Sequence, residues 1–149
     1  MNWRNLAKYF VHGLAFTILF LILSVVWLFF ALILVTVGFI LGFIIGLIVL
    51  FIMIGFLNAL ITTYLWFDVK SGVWSLFVHG FVLTLSLAIV NSILVTIPNL
   101  VFPAIWTYVV TFIIGALADG FLAKNVAGFW KESGFSRPGG AEVFSEEPV

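Results

Sequence analysis

The chain has 149 residues, of which 64% are hydrophobic and only 8% are charged, with six basic and six acidic side chains and a formal net charge of zero. Soluble domains carry about 25% charged residues, so this composition excludes a water-soluble globular fold and predicts an all-α integral membrane protein. Cysteine is absent, and the few cations form no basic stripe, so disulfides, thiolate metal sites and a nucleic-acid partner are not expected.

The first long uncharged segment covers residues 9–67. A helix rises about 1.5 Å per residue and the hydrocarbon core of a bilayer is about 30 Å thick, so this segment is long enough to cross twice. Gly38 is the strongest helix breaker near its middle. The sequence therefore predicts two transmembrane helices, at about 9–34 and 39–66, with a turn at 35–38.

A polar break at residues 68–72 separates this segment from a second uncharged one at 71–118. Pro98 and Pro103 interrupt the second segment, and proline suits a turn or a first helical position better than a helix interior. We therefore expect a third helix at about 73–97 and a fourth at about 104–123. The tail at 133–149 is rich in Gly, Pro and Glu and is predicted to be disordered.

The positions of the cations predict the orientation of the four crossings. Basic residues occur before the first helix, between the second and third helices, and after the fourth: Arg4, Lys8, Lys70, Lys124, Lys131 and Arg137. With four crossings these segments share one side, and cytoplasmic loops are enriched in Lys and Arg. Both termini are therefore expected in the cytoplasm.

An internal duplication is the most informative pattern. The tetrapeptide at 10–13, which contains His12, recurs at 77–80, which contains His79, and the chain has only two histidines. Residues 55–57 likewise match residues 120–122. We interpret residues 9–66 and 73–125 as two tandem helical hairpins of parallel orientation, related by a pseudo-twofold axis along the membrane normal, within a domain at 1–132. The alternative is convergence of two helix starts on similar sequences.

Small and weakly polar residues form stripes on the predicted helices. These stripes are typical of helix packing, because small residues allow backbones to approach and hydroxyl or amide groups can hydrogen-bond between helices. The G-x-x-x-G spacing predicts a groove on the second helix, for a partner in the same chain or in another copy. The packing residues are Gly13, Thr17 and Ser24, Gly80 and Thr84, Gly38, Gly42 and Gly46, and Gly115.

Few groups near the bilayer can carry chemistry. His12, His79 and Asp119 are predicted at similar depth near the cytoplasmic boundary, where they are candidates for a divalent metal site or, with Asn91, a proton pathway. The alternative is that each histidine binds water at the headgroup level and Asp119 pairs with Lys124. No nucleotide, hydrolase or zinc-protease motif occurs, so we expect no enzymatic activity and no cofactor.

Two functions are compatible with these patterns. The first is a structural or accessory subunit that packs through small-residue helix faces, with the lipid bilayer, itself or other membrane-protein subunits as partners. The second is a small oligomeric pore or transporter for protons or metal ions that uses His12, His79 and Asp119. Four helices enclose little space, so the second function requires oligomerisation.

Overall fold

The computed structural model describes residues 3–69, 72–101 and 104–131, and the described residues are folded into four α-helices. The helices are α1 (Trp3–Val37), α2 (Phe39–Leu65), α3 (Val73–Val101) and α4 (Ala104–Gly128). Each contains a segment long and apolar enough to cross a membrane, which confirms the all-helical prediction with four such helices. The predicted disordered tail at 133–149 lies outside the described residues.

Three helices extend beyond their predicted ends. α1 starts at Trp3 and α4 continues to Gly128, because charged side chains such as those of Lys8 and Lys124 do not interrupt the backbone hydrogen bonds of a helix. The prediction that α3 stops at 97 was wrong, since it runs through position 98 to Val101. A proline removes one amide donor from a helix, and the neighbouring turns can keep their hydrogen bonds.

A single residue, Gly38, separates α1 from α2. Its φ of 152° lies in a region that residues with a Cβ rarely adopt. Its amide donates to the carbonyl of Val35 at 3.3 Å, and its own carbonyl accepts from the amide of Gly42 at 2.7 Å. The chain can therefore reverse direction within one residue.

The four helices contact one another in a ring. α1 and α3 each contact both α2 and α4, and α2 also approaches α4. The start of α1, the end of α2, the start of α3 and the end of α4 meet at one end of the bundle, which we call the network end; the opposite end, with Gly38, is the far end. Buried apolar side chains concentrate toward the network end, among them Phe16, Ile54, Leu83 and Ala123.

The far half of the bundle is much more exposed. In α1, no residue between positions 17 and 36 is buried. Large apolar side chains such as Phe29, Ile33 and Ile40 are exposed there. Such a surface is suited to contact with lipid.

Two glycine contacts bring the helix backbones close together near the network end. A Cβ at Gly13 would collide with the carbonyl of Ala116 on α4, and a Cβ at Gly120 would collide with the carbonyl of Tyr9 on α1. On the other side of the bundle, Gly80 of α3 and Gly55 of α2 face each other in the same way. Only glycine permits these approaches.

The hydroxyl groups of the predicted stripes bond within their own helices. Thr17 donates to the carbonyl of Gly13 at 2.9 Å, Ser24 to that of Phe20 at 2.6 Å, and Thr84 to that of Gly80 at 2.7 Å. At these positions the nearest acceptor is the carbonyl one turn earlier in the same helix.

The glycines of the predicted groove on α2 face α1 of the same chain. A Cβ at Gly42 would collide with the carbonyl of Leu34, and Gly46 accepts a hydrogen bond from Nε1 of Trp27 at 3.0 Å. Gly115 differs from its expected role, because a Cβ there would meet nothing within 4 Å. The close contact on α4 belongs to Gly120, more than one turn later.

Candidate functional site

A buried hydrogen-bonded cluster at the network end joins all four helices. We call it the histidine network: His12 of α1, Asn58 of α2, His79 of α3 and the backbone carbonyl of Ala123 on α4, and these four residues are all 0% exposed. Oδ1 of Asn58 lies 2.9 Å from Nε2 of His12, and Nδ2 of Asn58 lies 2.8 Å from Nε2 of His79 and 2.9 Å from the Ala123 carbonyl. Asn58 is therefore its centre.

The partners of Asn58 determine where its hydrogens lie. The Ala123 carbonyl can only accept, so it requires the NH₂ group of Asn58 on that side, and the same group donates to Nε2 of His79. The oxygen of Asn58 then faces His12 and accepts from Nε2. The NH₂ group of Asn58 therefore faces two acceptors, and its oxygen faces a donor.

The same reasoning fixes both imidazoles as neutral and as opposite tautomers. The indole N–H of Trp66 can only donate, and it lies 3.2 Å from Nδ1 of His12. His12 therefore accepts at Nδ1 and carries its hydrogen on Nε2. His79 accepts at Nε2 and carries its hydrogen on Nδ1, which is buried without a hydrogen-bond partner among the described residues.

Two tryptophans cover the network from the loop side. Trp130, after α4, stacks on His79 with ring centroids 5.0 Å apart and planes 9° from parallel. Trp66, after α2, contacts two ammonium groups, with Nζ of Lys124 4.0 Å and Nζ of Lys8 4.9 Å from its ring centroid. These cation–π contacts hold the indole whose N–H reaches His12.

The network as built is poorly suited to binding a metal ion. Both ring nitrogens of His12 are engaged in hydrogen bonds, whereas a metal ligand needs a free lone pair. Within residues 3–69, 72–101 and 104–131, no three His, Cys, Asp or Glu side chains are grouped so that they could hold a metal. The arrangement instead gives the buried amide of Asn58 three partners on three other helices and so fixes the positions of four helices.

The two histidines meet through Asn58, and Asp119 has a different partner. Its Oδ1 accepts from the side-chain amide of Asn91 at 3.1 Å, which links α4 to α3. Lys124, the partner considered from sequence, instead lies 3.5 Å from the hydroxyl of Tyr9. The alternative of water-exposed histidines was wrong, because both side chains are 0% exposed.

Sequence reasoning missed Asn58, Trp66 and Trp130 as parts of the site. Asn58 is the only Asn, Gln, Asp or Glu in residues 9–67. An isolated amide in a long apolar segment is costly unless it is hydrogen-bonded, and that signal was present in the sequence. The indole contacts depend on chain turns after α2 and α4, which carry no spacing signature.

Comparison with known proteins does not assign this arrangement. No protein-family model matches the chain, and no match was found among curated proteins or solved structures. The functional interpretation therefore rests on the residues and contacts described above.

Proposed function

We propose that this chain is an integral membrane protein with its network end, and both termini, at the cytoplasmic side. Four helices of sufficient length and apolarity support the membrane location. Lys8 and Lys124 lie at the network end, over the ring of Trp66. Arg4, in the first turn of α1, and Lys131, just after α4, are at the same end of the bundle. Positive charge on one side is typical of cytoplasmic loops.

The two halves of the chain are proposed to be tandem hairpins of parallel orientation, related by a pseudo-twofold axis along the membrane normal. The glycine contacts support this relation. The sequence repeat matches Gly13 with Gly80 and Gly55 with Gly120, and these are the four residues of the two contacts. Exchanging the halves therefore turns the α1–α4 contact into the α3–α2 contact.

We propose that the protein has a structural or accessory role in the membrane. The observation that carries this proposal is the histidine network, in which Asn58 bonds groups from the three other helices. The buried polar groups at the network end hold helices together, while the far half presents apolar side chains outward. A fixed bundle with an apolar outer surface is suited to packing against itself or a larger membrane complex.

A proton pathway is a second candidate, favoured by one observation. The two imidazoles belong to one hydrogen-bonded chain, and Nδ1 of His79 carries a buried hydrogen without a partner among the described residues. Proton flux into liposomes that is abolished by His79→Gln would favour this candidate. Flux absent from wild-type protein, or unchanged in the variant, would exclude it.

The absence of cysteine gives a direct test of orientation. Single cysteines placed at Gly72 or Lys131 should react with a membrane-impermeant maleimide from the cytoplasmic side only, and those at Thr36 or Leu100 from the opposite side only. These positions are all exposed. Labelling of Thr36→Cys and Gly72→Cys from the same side would contradict the proposed topology.

The accessory role is tested in native membranes. A photo-crosslinking amino acid at Ile40, which is 74% exposed, should join the chain to one defined protein partner or to a second copy, and the same product should persist in lipid nanodiscs. The control is the same amino acid at Ala59, which is 0% exposed and should give no intermolecular product. A particle of monomer mass with only lipid adducts at Ile40 would overturn the accessory role.

A further inference from the structure

A second polar feature lies farther into the bundle than the histidine network, at a cavity between the helices. The cavity has a volume of about 380 Å³, which is within the size range of small-molecule sites. Residues from all four helices line it: Phe16, Thr17, Phe20, Ile54, Thr84, Leu87, Ala88, Asn91 and Asp119. Phe16 and Ile54 also belong to the buried apolar core, and neither His12, Asn58 nor His79 lines the cavity.

The carboxyl group of Asp119 is the one acid among the residues that line this cavity, and no base lines it within the described part of the chain. One of its oxygens is held by the side-chain amide of Asn91 at 3.1 Å. A carboxyl group in apolar surroundings is costly to ionise unless a cation compensates its charge, and otherwise it stays protonated. The wall therefore combines a large apolar area with one group that a bound cation would keep ionised.

The wall offers a single carboxyl group, and in the part of the chain that the structure describes no three His, Cys, Asp or Glu side chains are grouped so that they could hold a metal ion. A small inorganic cation would need several oxygen ligands, whereas a carboxylate beside apolar side chains matches a cation whose charge is surrounded by hydrocarbon. Phe16 and Phe20, which stack with centroids 6.0 Å apart, add aromatic surface to the same wall.

We propose that this cavity is a binding site for lipophilic organic cations, with Asp119 as the counter-ion and Asn91 as the residue that orients its carboxyl group. This site goes beyond the structural role and does not depend on it. The histidine network contributes no ligand to the cavity.

The test uses tetraphenylphosphonium as the probe and the full chain in detergent micelles or nanodiscs. Saturable binding is expected, with at least about a tenfold loss of affinity in Asp119→Asn, which removes the charge and keeps an acceptor for Asn91. Asp68→Asn is the matched control: the same chemical change in the α2–α3 loop, outside the cavity lining, should leave binding unchanged. Tetraphenylborate has the same shape and the opposite charge, and it should not compete.

A second variant tests the position of the site without changing charge. Ala88→Trp places a large side chain into the cavity and should also weaken tetraphenylphosphonium binding by about tenfold. Thermal melting of each variant establishes that it is folded. Equal binding by wild type, Asp119→Asn and Ala88→Trp would overturn the proposal, and so would equal binding of the phosphonium and the borate. Either result would mean that the probe only partitions into lipid or detergent.

Discussion

The side-chain amide of Asn58 donates to Nε2 of His79 over 2.8 Å, and through this bond the second half of the chain is joined to the first at a point 0% exposed. His12 and the Ala123 carbonyl bind the same amide. In an apolar bundle, where dispersion contacts to lipid and to protein are similar, such matched polar contacts can decide which helix faces pack together.

The first prediction concerns the centre of this network. Asn58→Leu keeps approximate volume but leaves Nε2 of both imidazoles buried without its present partner. Each unsatisfied buried group costs about 1–3 kcal/mol, so a clear fall in the melting temperature of the detergent-solubilised protein is expected. Near-UV circular dichroism should also report looser packing around Trp66 and Trp130.

Asn125→Ala is the matched control for this change. Asn125 is exposed and its side-chain amide donates only to the carbonyl of Phe121 in its own helix among the contacts described for it. Its replacement should leave melting nearly unchanged. If Asn58→Leu melts like Asn125→Ala, the network does not hold the bundle together.

The second prediction concerns protonation of the two imidazoles. Because His12 accepts from the Trp66 indole and His79 accepts from the Asn58 amide, solid-state NMR of ¹⁵N-histidine-labelled protein should show two neutral rings of opposite tautomer. Trp66→Phe removes one donor and should perturb the His12 signals more than those of His79. Two doubly protonated rings would contradict the hydrogen-bond assignment.

The helices and the shared depth of the two histidines could be predicted from sequence for simple physical reasons. Charge is excluded from an apolar layer, so uncharged runs mark possible crossings, and the repeated tetrapeptides around His12 and His79 both lie in the first third of their helices, α1 and α3. Helix ends were less predictable, because α4 continues past Lys124, and a charged side chain does not interrupt the backbone hydrogen bonds of a helix.

The pairing of polar groups could not be predicted in the same way. Asp119 bonds to Asn91 because of the rotation of α4 against α3, and no residue spacing encodes that rotation. Glycine positions show the same limit: Gly115 and Gly120 both lie on α4, yet only Gly120 has a backbone against it.

The third prediction compares glycines that lie against a neighbouring helix backbone with a glycine that does not. Gly13→Ala and Gly80→Ala each place a Cβ against a backbone carbonyl of the neighbouring helix, which cannot move aside as a flexible side chain can. Each should lower the free energy of unfolding by about 1–3 kcal/mol, and by similar amounts because their surroundings correspond. Urea or thermal unfolding in mild detergent measures the loss.

Gly115→Ala is the control for Gly13→Ala and Gly80→Ala. A Cβ at Gly115 meets nothing within 4 Å, and alanine is favoured over glycine in a helix by about 0.5–1 kcal/mol. This variant should be as stable as wild type or slightly more stable. Equal destabilisation at Gly13, Gly80 and Gly115 would show that the loss does not come from the helix contacts.

The fourth prediction concerns the reversal between α1 and α2, where space and backbone conformation can be separated. A Cβ at Gly38 would meet nothing within 4 Å, but the φ of 152° at this position is strained for any residue that has a Cβ. Gly38→Ala should therefore destabilise the protein by about 1–3 kcal/mol without any steric collision. Gly72→Ala is the control, because Gly72 is also in open space and Gly38 is the sole glycine with positive φ in the described residues. Thermal melting of the two variants measures the difference, and if Gly38→Ala proves as stable as Gly72→Ala, the one-residue turn does not depend on glycine.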